Sequence, residues 1–442
     1  MGRGAKMSVH KIENWKYVLF LSLALTLLLG QKCPERNLKM TGQQQPPATA
    51  SVEIKAMEAS DKTSFEDDFN TIVEPINHFS FSLYQELEKK PDNIFFSPFS
   101  LFTVMAMVYE GARGQTAEEI KQVFFFPEDI QLLRTGQKDL LAILNKEPKK
   151  YELRTANALW AQKNFPFLPA YFENVGKYYG GKVTSLDFIS ETEQSRQVIN
   201  HWVEEQTNQK IKDLIPAGVL NSFTRLVLTN AIYFKGRWAK PFPKENTAEQ
   251  DFHVSEEKTV RIPFMHLQEV GFNYAENEIL QAVELPYEGK ELSMVILLPR
   301  GKISDLRQFL NSASWQELKK NFRHQTIDVY LPGFKLETKY LMGGENGILA
   351  RMGMPSAFSE TNADLSGMTG RPNLYITEVV HQAFVEVNEE GTEAAAATGA
   401  IMGVKAVLMK KVFRADHPFI FFVQEKRTGA ILFLGRVMDP TR

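Results

Sequence analysis

The chain has 442 residues, 43% hydrophobic and 24% charged, ordinary proportions for a globular protein with an ample core. Its 51 basic and 53 acidic residues leave a formal net charge of −2, so no overall field draws it to nucleic acid or to an anionic membrane. The single cysteine, Cys33, lies in the N-terminal leader. An internal disulfide framework and a cysteine nucleophile in the body are therefore excluded.

Arg3, Lys6, Lys11 and Lys16 precede Tyr17 to Gly30, fourteen mostly apolar residues. A basic leader before a short apolar run predicts an export signal. A permanent span needs roughly 20 such residues, so no stable membrane span is expected. Cys33 is a candidate lipid anchor, but Gln31 and Lys32 stand where such sites carry small residues. Residues 34–66 are rich in Gln, Pro, Thr, Ser and Lys and lack apolar periodicity, which predicts a disordered tether. The expected organisation is a targeting segment over 1–33, a linker over 34–66 and one folded domain over 67–442. The protein is expected to be secreted, with anchoring through residues 17–33 as the alternative.

In the body, Ile72, Val73, Ile76, Phe79, Leu83, Tyr84 and Leu87 repeat at helical spacing and predict a helix ended by Pro91-Asp-Asn. Ser97-Pro98 carries helix-start chemistry. The run Leu101 to Tyr109 is apolar nearly all round and predicts a buried helix. Thr116-Ala-Glu-Glu119 predicts a capping box for the next helix. Later segments are strand-like: Arg225–Phe234, Leu292–Leu298, Thr326–Leu331 and Phe384–Val387. Phe419–Val423 and Ala430–Leu434 flank Glu425-Lys-Arg-Thr-Gly429, a hairpin signal. Helices early and strands late argue for an α+β fold.

Residues 386–405 carry the most functional information. The stretch begins Glu-Val-Asn-Glu-Glu-Gly-Thr-Glu, then becomes small and neutral, with no charge between Glu393 and Lys405. That is unlike a surface loop, which carries charges and turn residues. It is unlike a core helix, which needs large apolar residues at helical spacing. It suits a segment that is exposed in one state and a buried strand in another. As a strand, Thr392, Ala394, Ala396, Thr398, Ala400, Met402 and Val404 share one face. Taken alone, the run also reads as a flexible alanine-rich linker.

This segment resembles the hinge and bait loop of an inhibitory serpin, and the likeness extends from about Phe69 to Pro440. Asn93-Ile-Phe-Phe-Ser-Pro-Phe-Ser100, Gly111 to Ile120, Ala156-Asn-Ala-Leu-Trp160 and Ile199-Asn-His-Trp-Val203 match in order. Leu228 to Trp238, Asp364-Leu-Ser-Gly367, His417 to Phe422 and Phe433-Leu-Gly-Arg436 follow. Gln209 stands where the family usually has glycine, and Gly333 departs from its usual Pro-Lys-Phe. The resemblance implies the serpin fold: three β-sheets, about nine helices and an exposed reactive-centre loop.

It also implies a serine-type endopeptidase inhibitor that traps its target covalently, and a monomer. The implied hinge is Glu390, Gly391, Thr392, Glu393, Ala394, Ala395, Ala396 and Ala397. Counting along the loop places the reactive bond at Lys405-Ala406, which suits a trypsin-like protease. Cleavage at Met402, Val404 or Leu408 is the alternative and favours chymotrypsin-, elastase- or subtilisin-like targets. Ser97, Ser100, Asn230 and His381 match the family's polar cluster beneath the point where the main sheet opens, and Trp238 its loop-entry tryptophan. A non-inhibitory carrier or chaperone is the rival class, though such members usually carry charged, bulky or proline residues in the hinge.

Catalysis is not expected. The chain has no Gly-x-Ser-x-Gly elbow, no His-Glu-x-x-His, no phosphate-binding loop and no histidines at metal-ligand spacing. No cofactor is expected: between Pro127 and Lys150 the basic residues Arg134, Lys138, Lys146, Lys149 and Lys150 are interrupted by apolar and acidic ones. The cluster Lys405, Lys410, Lys411 and Arg414 reads as a solvated loop rather than a polyanion site.

Overall fold

The computed structural model describes residues 71–392 and 411–442. Backbone contacts set Met1–Ala56 apart from Met57–Arg442, and every described residue lies in the second unit. The expected export signal, Cys33 and the whole of the expected tether lie outside the described residues. So do Glu393 to Ala397 of the hinge and the Lys405-Ala406 bond.

Nine α-helices occur among the described residues. They are α1 (71–87), α2 (Pro98–Gly111), α3 (Gly114–Phe124), α4 (Ile130–Leu144) and α5 (Pro169–Asn174), then α6 (Thr192–Gln206), α7 (Ser312–Lys320), α8 (Ile348–Met352) and α9 (Ser366–Thr369). The strands are β1 (Ile94–Phe96), β2 (Tyr151–Gln162), β3 (Lys182–Leu186), β4 (Leu226–Arg237), β5 (Ala248–His253), β6 (Thr259–Glu276), β7 (Leu280–Pro286) and β8 (Leu292–Pro299). The remainder are β9 (Arg323–Pro332), β10 (Phe334–Leu341), β11 (Glu378–Asn388), β12 (Gly391–Thr392), β13 (Lys411–Arg414), β14 (Phe419–Glu425) and β15 (Ile431–Val437).

The strands form two hydrogen-bonded networks. One is six-stranded, in the order β10-β11-β12-β4-β2-β3, and the other nine-stranded, running from β1 through β15, β14, β8, β7, β6 and β9 to β13, with β5 on β6. The three expected sheets appear as two networks because β6 is long enough to serve two. Its first half pairs with β5 and its second with β7, on either side of a register shift between Leu267 and Val270.

Helix α2 explains the core. It packs against β15 on one side and against β2 and β4 on the other. A helix between two sheets has no solvent face, so it is apolar all round, and Leu101 to Val108 are at most 1% exposed. Ser97 accepts from Ser100 N as its N-cap, with Pro98 at the first helical position. A second apolar cluster, including Ile199, Val203, Ile211 and Trp160, lies under α6 against β2 and β4.

One local expectation fails. Thr116 and Glu119 do not cap α3, which starts two residues earlier at Gly114 with no side-chain cap. Thr116 is buried and accepts from Asp364 N at 3.0 Å, while Glu119 accepts from Ser356 N and Oγ at 2.9 and 2.6 Å. The motif serves tertiary contacts with the 356–364 segment instead of the helix end. At the other departure, Gln209 adopts φ 60 next to Asn208 at φ 51, a left-handed turn that glycine adopts without steric cost.

Candidate functional site

The site grows from the way β4 and β11 meet. They are parallel neighbours over Val227–Tyr233 and Glu378–Phe384. Beyond that pairing they part, and the chain turns at Glu389-Glu390 to come back between them. Thr392 pairs with Val387 of β11 and with Gly236 of β4; Gly391 pairs with Asn388 and Arg237. Gly391 and Thr392 of the expected hinge thus form a short strand, antiparallel to both neighbours.

Several groups hold this turn. Trp238 N donates to Glu390 O and Phe242 N to Glu389 O, both at 2.8 Å. The Trp238 indole donates to Asn388 O at 3.0 Å and stacks on Tyr287, centroids 4.7 Å apart at 11°. Thr247 Oγ1 donates to Glu389 Oε1 at 2.8 Å, and Lys244 Nζ lies 3.1 Å from Glu390 Oε1. Gly391 must be glycine: its φ is 154 and a Cβ there would lie 2.1 Å from Gly236 O. Thr392 is fully buried, and its Oγ1 lies 2.8 Å from the Tyr287 hydroxyl.

Below the gap, where β4 and β11 are directly paired, the polar cluster forms one row across the sheet. Asn157 of β2 faces Asn230 of β4, Asn230 faces His381 of β11, and His381 faces Tyr340 of β10. Asn230 Nδ2 donates to Asn157 Oδ1 and Ser100 Oγ, each at 2.6 Å, and Ser100 Oγ donates to Asn157 Oδ1 at 2.8 Å. Ser97 N donates to His381 Nε2 at 3.1 Å, which leaves Nδ1–H to donate to Asn230 Oδ1. Burial pushes the imidazole pKa down to about 3, so His381 is neutral in this tautomer. Satisfied in this way, a buried polar row carries little desolvation cost.

The structure brings Ser97, Ser100, Asn230 and His381 together, and sets Glu390, Gly391, Thr392 and Trp238 together at the parted end of the same strand pair. Sequence reasoning missed Asn157, Lys244, Thr247 and Tyr287. An asparagine inside the apolar Ala156–Ala161 run was a readable signal for the first; nothing in the sequence marks the others. Among the described residues no group of acidic, histidine or cysteine side chains is arranged to hold a metal ion. No described helix is long and apolar enough to cross a membrane.

A sheet whose two central parallel strands admit an adjoining segment defines a strand-accepting class of protein. The Serpin (serine protease inhibitor) family pattern matches residues 74–440, and this chain belongs to the serpin family. An uncharacterized serpin-like protein of Thermococcus kodakarensis is 44% identical over 374 residues, 84% of this chain and 86% of that protein. The leukocyte elastase inhibitor of Homo sapiens is 40% identical over 374 residues, covering 82% of this chain and 97% of the inhibitor. Among solved structures, Serpin48 of the insect Tenebrio molitor, described as highly specific, superposes with a TM-score of 0.74 at 37% identity, over 83% of this chain and 98% of that one.

Proposed function

We propose that this protein is a suicide-substrate inhibitor of a serine protease with trypsin-like specificity. The observation that carries this reading is the pairing of Gly391 and Thr392 between β11 and β4, which puts the hinge at the start of the path it must follow. The protease's serine oxygen adds to the Lys405 carbonyl carbon, the Lys405–Ala406 bond breaks, and the new amine leaves with a proton from the protease's histidine. The hinge then continues down the gap with the acylated protease attached, and deacylation stalls when the oxyanion hole is distorted.

Energetics favour insertion. A parallel pairing, slightly weaker per residue, gives way to two antiparallel ones. Each added hydrogen bond contributes about 0.5–1.5 kcal/mol, close to the ordering cost of about 1–2 per residue, so burial of a small neutral face must tip the balance. Thr392, Ala394, Ala396, Thr398, Ala400, Met402 and Val404 supply that face without a charge. The same composition disfavours a carrier or chaperone.

We also hold the protein to be secreted, on the Tyr17–Gly30 apolar run. Incubation with a panel of serine proteases, scored for adducts that survive denaturant, tests the function. Mass spectrometry of the released fragment tests the bond. Cleavage without any adduct across the panel overturns inhibition; an adduct with a cut after Met402, Val404 or Leu408 overturns Lys405 alone.

A further inference from the structure

Most partners of the pre-inserted residues are backbone groups that any strand could use. The Tyr287 hydroxyl is different. It lies 2.8 Å from Thr392 Oγ1, and both residues are fully buried. Its ring is pinned by the Trp238 stack on one side and by the edge of Phe234, centroids 5.0 Å apart at 80°, on another. Gly236 makes room for it, since a Cβ there would reach Tyr287 Cδ1 at 2.9 Å. Burial raises the phenol pKa far above its usual value, so the group stays a neutral hydrogen-bonding hydroxyl. A fixed hydroxyl thus meets the first side chain of the face that insertion would bury.

We propose that Tyr287 is a positioning residue for the trapping reaction: through Thr392 it holds the hinge two residues inside the sheet, and so sets both how readily the bait is presented and how promptly it inserts once cut. This rests on the inhibitor reading above. Two effects of opposite sign follow. Before cleavage the bond draws the N-terminal end of the bait into the sheet and shortens what is exposed, so losing it speeds docking of the protease. After cleavage the same bond seeds insertion, so losing it slows insertion and lets hydrolysis win more often. General loosening of the molecule does not produce this pair of effects with the heat stability of the uncut protein unchanged.

The test compares the full chain with Tyr287→Phe, Thr392→Val and the double variant, using active-site-titrated trypsin. Tyr287→Phe is expected to raise the association rate constant about two- to tenfold, the range one neutral hydrogen bond allows. It is expected to raise the inhibitor consumed per trypsin captured as well. Thr392→Val reproduces both changes, the double variant adds nothing further, and it carries the test if the tyrosine variant fails to fold. A synthetic peptide with the sequence of residues 392–404 gives a readout independent of capture: the uncut Thr392→Val protein, whose own hinge is released while Tyr287 remains to bond the peptide's threonine, is expected to take it up about two- to tenfold faster than wild type, because the gap is no longer partly filled. Equal association, capture and peptide uptake in the variants and wild type overturn the role of Tyr287. Absence of trypsin capture by wild type overturns the inhibitor reading instead, and peptide uptake still decides the role of Tyr287.

Discussion

His381 and Asn230 are register partners on adjacent parallel strands, and the imidazole Nδ1–H donates to the Asn230 side-chain carbonyl. The ring has no solvent exposure, and burial holds its pKa at about 3. The unfolded chain protonates near 6.5, so between these values it binds a proton that the folded protein refuses. Stability therefore falls as pH drops from about 6.5 toward 3, by about 1.4 kcal/mol per unit within that window. Urea midpoints measured from pH 7 to 4 are expected to show this slope in wild type and to lose most of it in His381→Gln. An unchanged slope in the variant refutes the assignment.

His417 titrates in the opposite sense. Its Nδ1 lies 2.8 Å from Asp416 Oδ1 and its Nε2 2.7 Å from Pro299 O. Two acceptors favour the imidazolium, and although burial opposes it, the net shift is upward. This contribution is complete below the unfolded value and is lost as pH rises through the folded one. The melting-temperature gap between wild type and His417→Gln is expected to be largest near pH 6 and to close by pH 9. A gap that widens with pH contradicts the geometry.

Thr392→Arg places a long cation where the threonine side chain is fully buried. An unpaired buried charge costs several kcal/mol, enough to stop insertion while the bait remains a substrate. Cleavage at least as fast as in wild type, with no denaturant-resistant adduct, is expected. An adduct in this variant would remove the hinge from the mechanism.

Gly391→Ala meets backbone, not a movable side chain: Gly236 O at 2.1 Å and Arg237 Cα at 2.7 Å. The strain, on the order of 1–3 kcal/mol, is expected to push the hinge back out of the sheet. Trp238 emission should then change, because its backbone and indole N–H groups bond Glu390 and Asn388. Identical emission spectra would show that the turn tolerates a methyl group.

Cutting the bait by a non-target protease is expected to raise the melting temperature sharply, because the freed segment completes the six-stranded sheet. A carrier without insertion shows no gain, so differential scanning calorimetry of cut and uncut protein separates the two classes.

Periodicity made α1 and α2 legible, and the Ser-Pro pair fixed the start of α2. The strand-like runs became β4, β8, β9, β14 and β15 with ends moved by a few residues. β11 begins at Glu378, six residues before the Phe384 of its expected run, because Val379 and Val380 are buried beside a histidine and a glutamine that break the alternation. The capping box misled because a local motif cannot reveal that its side chains are claimed by a segment some 240 residues away. The polar cluster was legible through the family likeness, while Tyr287 was not: its meaning lies wholly in what the fold sets across from it.

The seven rungs joining β4 to β11, from Val227–Glu378 to Tyr233–Phe384, also set how long the molecule keeps. Each must open before any intruding segment can pass, whether the chain's own uncut bait or that of a neighbour. Warming erodes this zipper, so on the insertion mechanism proposed above storage life should shorten steeply with temperature, and with concentration too if the intruder is a neighbour's bait.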